Sequence, residues 1–190
     1  MFTVTARAKD FELARRVAPS IKCYSEGRGI PQGKDTDRHY LIGALAEIAI
    51  KRAMIKAGMK ADLPDWKPDK GYDFVVNGIK VDIKCLLTDY VPKDYYIHNL
   101  TARQHEISRS DAYIFCTYAE TSKKVHICGW ISKTGFHTHS TFWTAGQQDL
   151  TLPTKTGHFT YTVDTRSIKQ TQLYPLNSIE DIKGIDILVD

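Results

Sequence analysis

The dipeptide Asn77-Gly78 constrains this 190-residue chain more than any other pair in it. Asn and Gly best tolerate the two positive φ angles of a type I′ turn, and here they separate two β-branched runs, Phe74-Val75-Val76 and Ile79-Lys80-Val81. A two-residue loop sets the register of what it joins. Val76 is predicted to face Ile79, Val75 to face Lys80 and Phe74 to face Val81, which puts Asp73 directly opposite Asp82. Side chains alternate faces along a strand, so Lys80, Asp82 and Lys84 share one face while Ile79, Val81, Ile83 and Cys85 share the other. The hairpin is expected to bring Asp73, Asp82 and Lys84 together.

Like charges opposite one another on a ladder are destabilising, so a compensating partner is expected. Two adjacent carboxylates with main-chain carbonyls nearby offer the all-oxygen surroundings that suit a hard divalent cation such as Mg²⁺. Lys84, two residues beyond Asp82, projects onto the same face, where an ammonium can meet a phosphate or a polarised water. That set of groups outlines a site for phosphodiester hydrolysis.

Asp73, eight intervening residues and Asp82-Ile83-Lys84 resemble the core motif of the PD-(D/E)xK nuclease superfamily, the restriction-endonuclease-like fold. In that superfamily an acid on a preceding helix completes the site. Residues 38–57 read as a strong helix with an apolar stripe of Leu41, Leu45, Ile48 and Ile55, Asp35 or Asp37 as cap and Gly58 as stop. Glu47 is the only charge between Leu41 and Ile50. The resemblance implies that Asp73, Asp82 and the carbonyl of Ile83 hold Mg²⁺, that Glu47 joins them, and that Lys84 orients the attacking water. Mn²⁺ is expected to substitute. Tyr72 stands where the family's name-giving proline would be, and a literal Pro68-Asp69 falls ahead of the hairpin and out of its register.

The implied fold is α/β (α+β): a mixed β-sheet with a long helix packed on one face, in one domain over 1–190. Its core covers roughly 35–131, and 132–190 extends the same domain. The implied activity is an Mg²⁺-dependent deoxyribonuclease, an endonuclease, with DNA as partner. The alternative is a non-catalytic nucleic-acid-binding protein of the same fold. A homodimer stays open, as does a source in a bacterium or one of its viruses.

Composition narrows the class. With 42% hydrophobic and 25% charged residues the chain is neither disordered nor fibrous. The formal net charge of +4 is unevenly spread. Residues 1–60 carry twelve Lys or Arg against six Asp or Glu, whereas 178–190 carry one against four. A basic first third suits a phosphate backbone, and solvated helix faces account for it as well. No secretory apolar stretch opens the chain and no run reaches membrane-spanning length, so a cytoplasmic protein without a membrane partner is expected. Cys23, Cys85, Cys116 and Cys128 form no Cys-x-x-Cys pair, and the last three read as small buried hydrophobes.

Elsewhere a strand is expected over 2–6, a brief helix over 11–17 ending before Pro19, and a glycine-rich connector over 25–37 containing Pro31 and Gly33. Strands are expected over 112–118 and 124–131 joined by a tight turn, and another over 159–163. Tyr90, Tyr95 and Tyr96 could stack on bases, and Arg103, Gln104 and His105 are weaker nucleic-acid candidates, Gln104 by family analogy. His137-Thr138-His139 offers two imidazoles without a spaced third ligand and reads as a polar loop, as does 167–188 up to Leu173-Tyr174-Pro175-Leu176.

Overall fold

The structure, a computed structural model, describes residues 1–29, 36–63, 71–154 and 157–186. Asp35, Pro31 and Gly33 of the connector, Pro68-Asp69 and Leu188 lie outside the described residues.

The architecture is mixed α/β. The first strand β1 (Phe2–Thr5) leads into α1 (Ala8–Gly27) and α2 (Thr36–Lys56), followed by the hairpin β2 (Phe74–Val76) and β3 (Ile79–Thr88). Next come β4 (Ile97–Thr101), α3 (Ala102–Ile107), β5 (Ala112–Ala119), β6 (Lys124–Ser132) and α4 (Lys133–His139). The last strands are β7 (Thr141–Trp143), β8 (Gln148–Thr154), β9 (Gly157–Thr160) and β10 (Thr165–Lys169). The main sheet runs β1-β6-β5-β3-β2, and only the β3–β5 pair in it is parallel. A parallel pair needs a long crossover, and the stretch carrying β4 and α3 supplies it.

The Asn77-Gly78 turn has φ of 51° and 83°, both positive, and the three expected pairs Phe74–Val81, Val75–Lys80 and Val76–Ile79 form. The predicted β5–β6 hairpin also forms, turning through Lys123 at φ 54°. On one face of the main sheet, Ile79, Val81, Ile83, Ile114, Cys116 and Ile127 pack with Ala44, Leu45, Ile48 and Met54 of α2. On the other, Tyr113, Phe115, Cys128 and Ile131 meet Phe136, Leu100 and Ile168. The last two belong to the three-stranded sheet β4-β10-β7. Covered on both faces, β5 is buried along all eight residues, as a run apolar but for Thr117 demands.

α2 is apolar nearly all round and therefore interior, from Ile42 to Met54. It stops at Gly58 (φ 75°), where Gly58 N–H donates to Ile55 O and Met59 N–H to Met54 O, both at 3.0 Å. Ile55 is not part of a buried stripe: it is 45% exposed, because α1 and the sheet enclose the helix from other sides. Asp37 lies inside the first turn and accepts Lys22 at 2.7 Å rather than capping it.

The brief helix expected over 11–17 is a twenty-residue α1 with Pro19 inside it. Pro19 sacrifices one backbone hydrogen bond, and the buried seam of Ala14, Val17 and Ala18 outweighs that loss. Ser25 and Gly27 end this helix instead of opening a loop. His137 and His139 stand on α4, begun by Ser132 Oγ accepting Gly135 N–H at 2.8 Å.

Residues beyond 132 also enter the core. β10 pairs with β4, and Leu173, Leu176, Ile182 and Ile185 are buried. Tyr174 bridges to Trp130, which only a glycine at 129 allows, since a Cβ there would stand 2.6 Å from Tyr174 O. The strand expected over 159–163 is the shorter β9, paired with β8. Cys116 and Cys128 are buried, and Cys85 is half-buried.

Candidate functional site

β2 is the edge strand of the main sheet and is three residues long, while β3 continues well past it. Beyond Phe74–Val81 the ladder stops, so Asp73 is not the cross-strand partner of Asp82 that ideal register requires. Instead Asp73 N–H donates to Val81 O at 2.8 Å and its carboxylate accepts Ile83 N–H at 2.6 Å. The physical reason is the missing strand. Ile83 turns its N–H toward an edge that β2 no longer covers, and the Asp73 side chain replaces the absent backbone acceptor. The Ile83 carbonyl points to that same edge, because both polar groups of one strand residue face one way.

Four of the expected site residues are gathered here. Lys84 Nζ lies 2.7 Å from Asp82 Oδ2, and both side chains are largely buried, at 24% and 13% exposure. From α2, Glu47 reaches the same group, since Glu47 and Asp82 both act on Asp73 electrostatically. Gly43 and Ala44, one turn before Glu47 on the same face, line the cleft with it. Lys51 joins them, a residue with no part in the expected site. It is buried with 5% of its side chain exposed, forms an ion pair with Glu47, and acts on Asp73 as well. Its i, i+4 spacing from Glu47 was the available signal.

The electrostatics follow from this crowding. Burial first, then Glu47 and Asp82, hold the Asp73 carboxyl well above its ordinary value, while Lys51 and the Ile83 N–H pull it back only in part. For Lys84, burial favours the neutral amine, but Asp82 and Asp73 overcome it and the ammonium is held above the usual lysine range. The lysine is a permanent cation at neutral pH.

The group opens into a cleft of about 1580 Å³ between α1, α2, the hairpin and the β4–α3 segment. Gln104 lines it from α3, although its side chain is already engaged in the cap of that helix, accepting Thr101 Oγ at 3.1 Å. His98, on the cleft wall, is buried and pushed down to about 4 by that burial.

The other candidates are elsewhere. Arg103 and His105 face a separate pocket across α3. His105 is buried against Phe136 with its Nδ1 3.1 Å from the Tyr113 hydroxyl, which withdraws it from a nucleic acid. Tyr95 and Tyr96 pack on one another with ring centroids 5.5 Å apart and do not line the cleft. Tyr95 remains 67% exposed. His137 stacks on His105, and no third ligand joins them among the described residues.

Among the described residues no three His, Cys, Asp or Glu side chains stand ready as a ligand set. Lys51 holds Glu47, Lys84 holds Asp82, and the Ile83 N–H holds Asp73. The donor chemistry nevertheless fits a hard dication: three carboxylates and a carbonyl supply oxygen only. Fully ionised, Glu47, Asp73 and Asp82 exceed Lys51 and Lys84 by one negative charge, and after burial it is Glu47 and Asp82 that raise Asp73 most.

Compared with protein-family models, with curated proteins and with solved structures, the chain matches none.

Proposed function

We propose that the chain is a metal-dependent nuclease of the PD-(D/E)xK type that hydrolyses phosphodiester bonds in DNA. One observation carries this reading: Glu47 from α2 and Asp73, Asp82 and Lys84 from the hairpin meet in one cleft, with Asp73 held well above its ordinary value by burial and then by its acidic neighbours. A group of acids that burial and mutual repulsion disfavour has a use for a cation. The mixed sheet with α2 against one face is the kind of core that the restriction-endonuclease-like fold uses.

Asp73, Asp82 and the Ile83 carbonyl would hold Mg²⁺, with Glu47 beside them. When bound, the ion supplies Lewis acidity and lowers the pKa of a coordinated water. Lys84, charged at neutral pH, orients the water and offsets charge developing on the phosphate. Asp82 keeps that ammonium aimed into the cleft through their 2.7 Å contact. The Ile83 N–H does the same for the Asp73 carboxylate.

The alternative, a DNA-binding protein that does not cut, is favoured by one feature: each acid already has a lysine or amide partner. Incubation with supercoiled plasmid, with Mg²⁺ and with chelator, separates the two. Nicking in Mg²⁺ alone supports the nuclease, and binding without cleavage in either buffer supports the alternative.

A further inference from the structure

On the far side of α3 lies a second pocket, of about 710 Å³, walled by α3, α4 and residues 162–166. Arg103, Lys133 and Arg166 line it, with His137 beside them, against the acids Glu106 and Asp164. The cations outnumber the acids, and among the described residues two of them have no acid partner. Arg103 is paired with Glu106 at 3.1 Å. Lys133 Nζ donates to Ser108 O at 2.7 Å, and Arg166 donates to His137 O at 3.1 Å and Ser140 Oγ at 3.3 Å. Both bonds to main-chain carbonyls fix the position of the cation without neutralising it. Asp164 is turned to Ala145 N–H at 2.9 Å.

The surplus charge is felt locally. His105, behind the pocket, is pushed down to about 4 by burial and then by Lys133, Arg166 and His137. The pocket also adjoins the acid cleft: Thr162 and Val163 line both, and α3 divides them, with Gln104, Ile107 and Ser108 on one side and Arg103, His105 and Glu106 on the other.

We infer that this pocket binds a phosphodiester of a nucleic-acid strand, held by Lys133 and Arg166, while the same strand crosses α3 into the acid cleft. Fixed guanidinium and ammonium donors recognise phosphate oxygens, and a strand that spans both cavities is anchored at one and cut at the other. The inference rests on the nucleic-acid reading of the cleft.

The test measures binding of a fluorescein-labelled duplex by anisotropy across a salt series in chelator, where nothing is cleaved. Replacing both cations, Lys133→Gln with Arg166→Gln, removes two phosphate contacts and is expected to make the log–log salt slope shallower by about 1.8. The charge-keeping pair Lys133→Arg with Arg166→Lys is expected to retain the wild-type slope. On the wild-type protein itself, the His137 ring resonances are expected to shift on titration with the unlabelled duplex, which keeps the test decisive if a variant fails to fold. A wild type that binds while its neutralised variant keeps the full slope, or whose His137 stays unmoved, overturns the inference alone. A wild type that binds no oligonucleotide overturns both the inference and the reading of the cleft.

Discussion

The hairpin cluster in the cleft and the pocket on the other side of α3 are built from the same kinds of side chain with opposite surpluses. In the cluster at the hairpin, Glu47, Asp73 and Asp82 outnumber Lys51 and Lys84, and both lysines are held by carboxylates. In the α3–α4 pocket, Arg103, Lys133 and Arg166 outnumber Glu106 and Asp164, and Lys133 and Arg166 are held by main-chain carbonyls instead. Asp73 is forced up toward its protonated form and His105 down toward its neutral one, each by burial first and then by the like charges around it. The difference teaches that the partner holding a charge matters as much as the charge. A carboxylate neutralises a lysine, whereas a carbonyl only aims it.

The comparison breaks most sharply at the hairpin. Asp73→Asn and Asp82→Asn are each expected to abolish Mg²⁺-dependent plasmid nicking with the fold retained, and either variant cutting at the wild-type rate would remove the cluster from catalysis. Lys84→Ala should slow cleavage by roughly 10²–10³, the cost of removing one charge-stabilising donor, yet keep a thermal shift with Mg²⁺. Normal cleavage in that variant would make the Asp82–Lys84 pair structural.

Lys51→Met tests the neutralising role directly. It removes the lysine paired with a nearly buried Glu47, and truncating one partner of a buried pair costs about 3–5 kcal/mol, measured by denaturant unfolding in chelator. The stabilisation on adding Mg²⁺ should grow, because the site then lacks two cations rather than one. An unchanged Mg²⁺ response would show that Lys51 does not offset the acids.

The Asp73 shift carries a pH dependence of definite sign. Between the ordinary value of 3.8 and the raised folded value, the folded protein binds the extra proton, so stability in chelator falls as pH rises through that interval. Asp73→Asn should flatten that part of the melting-temperature profile, with the amide oxygen still able to accept Ile83 N–H. A profile that keeps its slope would assign the titration to another group. The smallest effect belongs to the pocket rim: Arg103→Gln, whose charge Glu106 already offsets on the surface, should change stability by less than about 1 kcal/mol in the same unfolding assay.

Much of the site was legible because it is local. Asn77-Gly78 dictates the turn, the turn dictates three ladder pairs, and alternation carries Asp82 and Lys84 to one face. Asp73 marks the limit of local register, since the ladder ends before it and its carboxylate serves an N–H exposed by a short edge strand. The pairing of Lys51 with Glu47 was readable from spacing, but its burial was not. Ile55 shows the same limit, a residue on an apolar helix that the surrounding elements leave uncovered.

What the sequence by itself determined is the set of features made by neighbours along the chain: the type I′ hairpin, the β5–β6 hairpin, the buried helix carrying Glu47 and its stop at Gly58. These depend on backbone preferences and periodicity, which act over a few residues. Tertiary structure alone decided that β3 lies parallel to β5, that α1 runs through Pro19, and that segments 133–139 and 162–166 close a basic pocket against α3. Those outcomes depend on burying surface contributed by distant segments, and no local preference encodes which distant surface will be there.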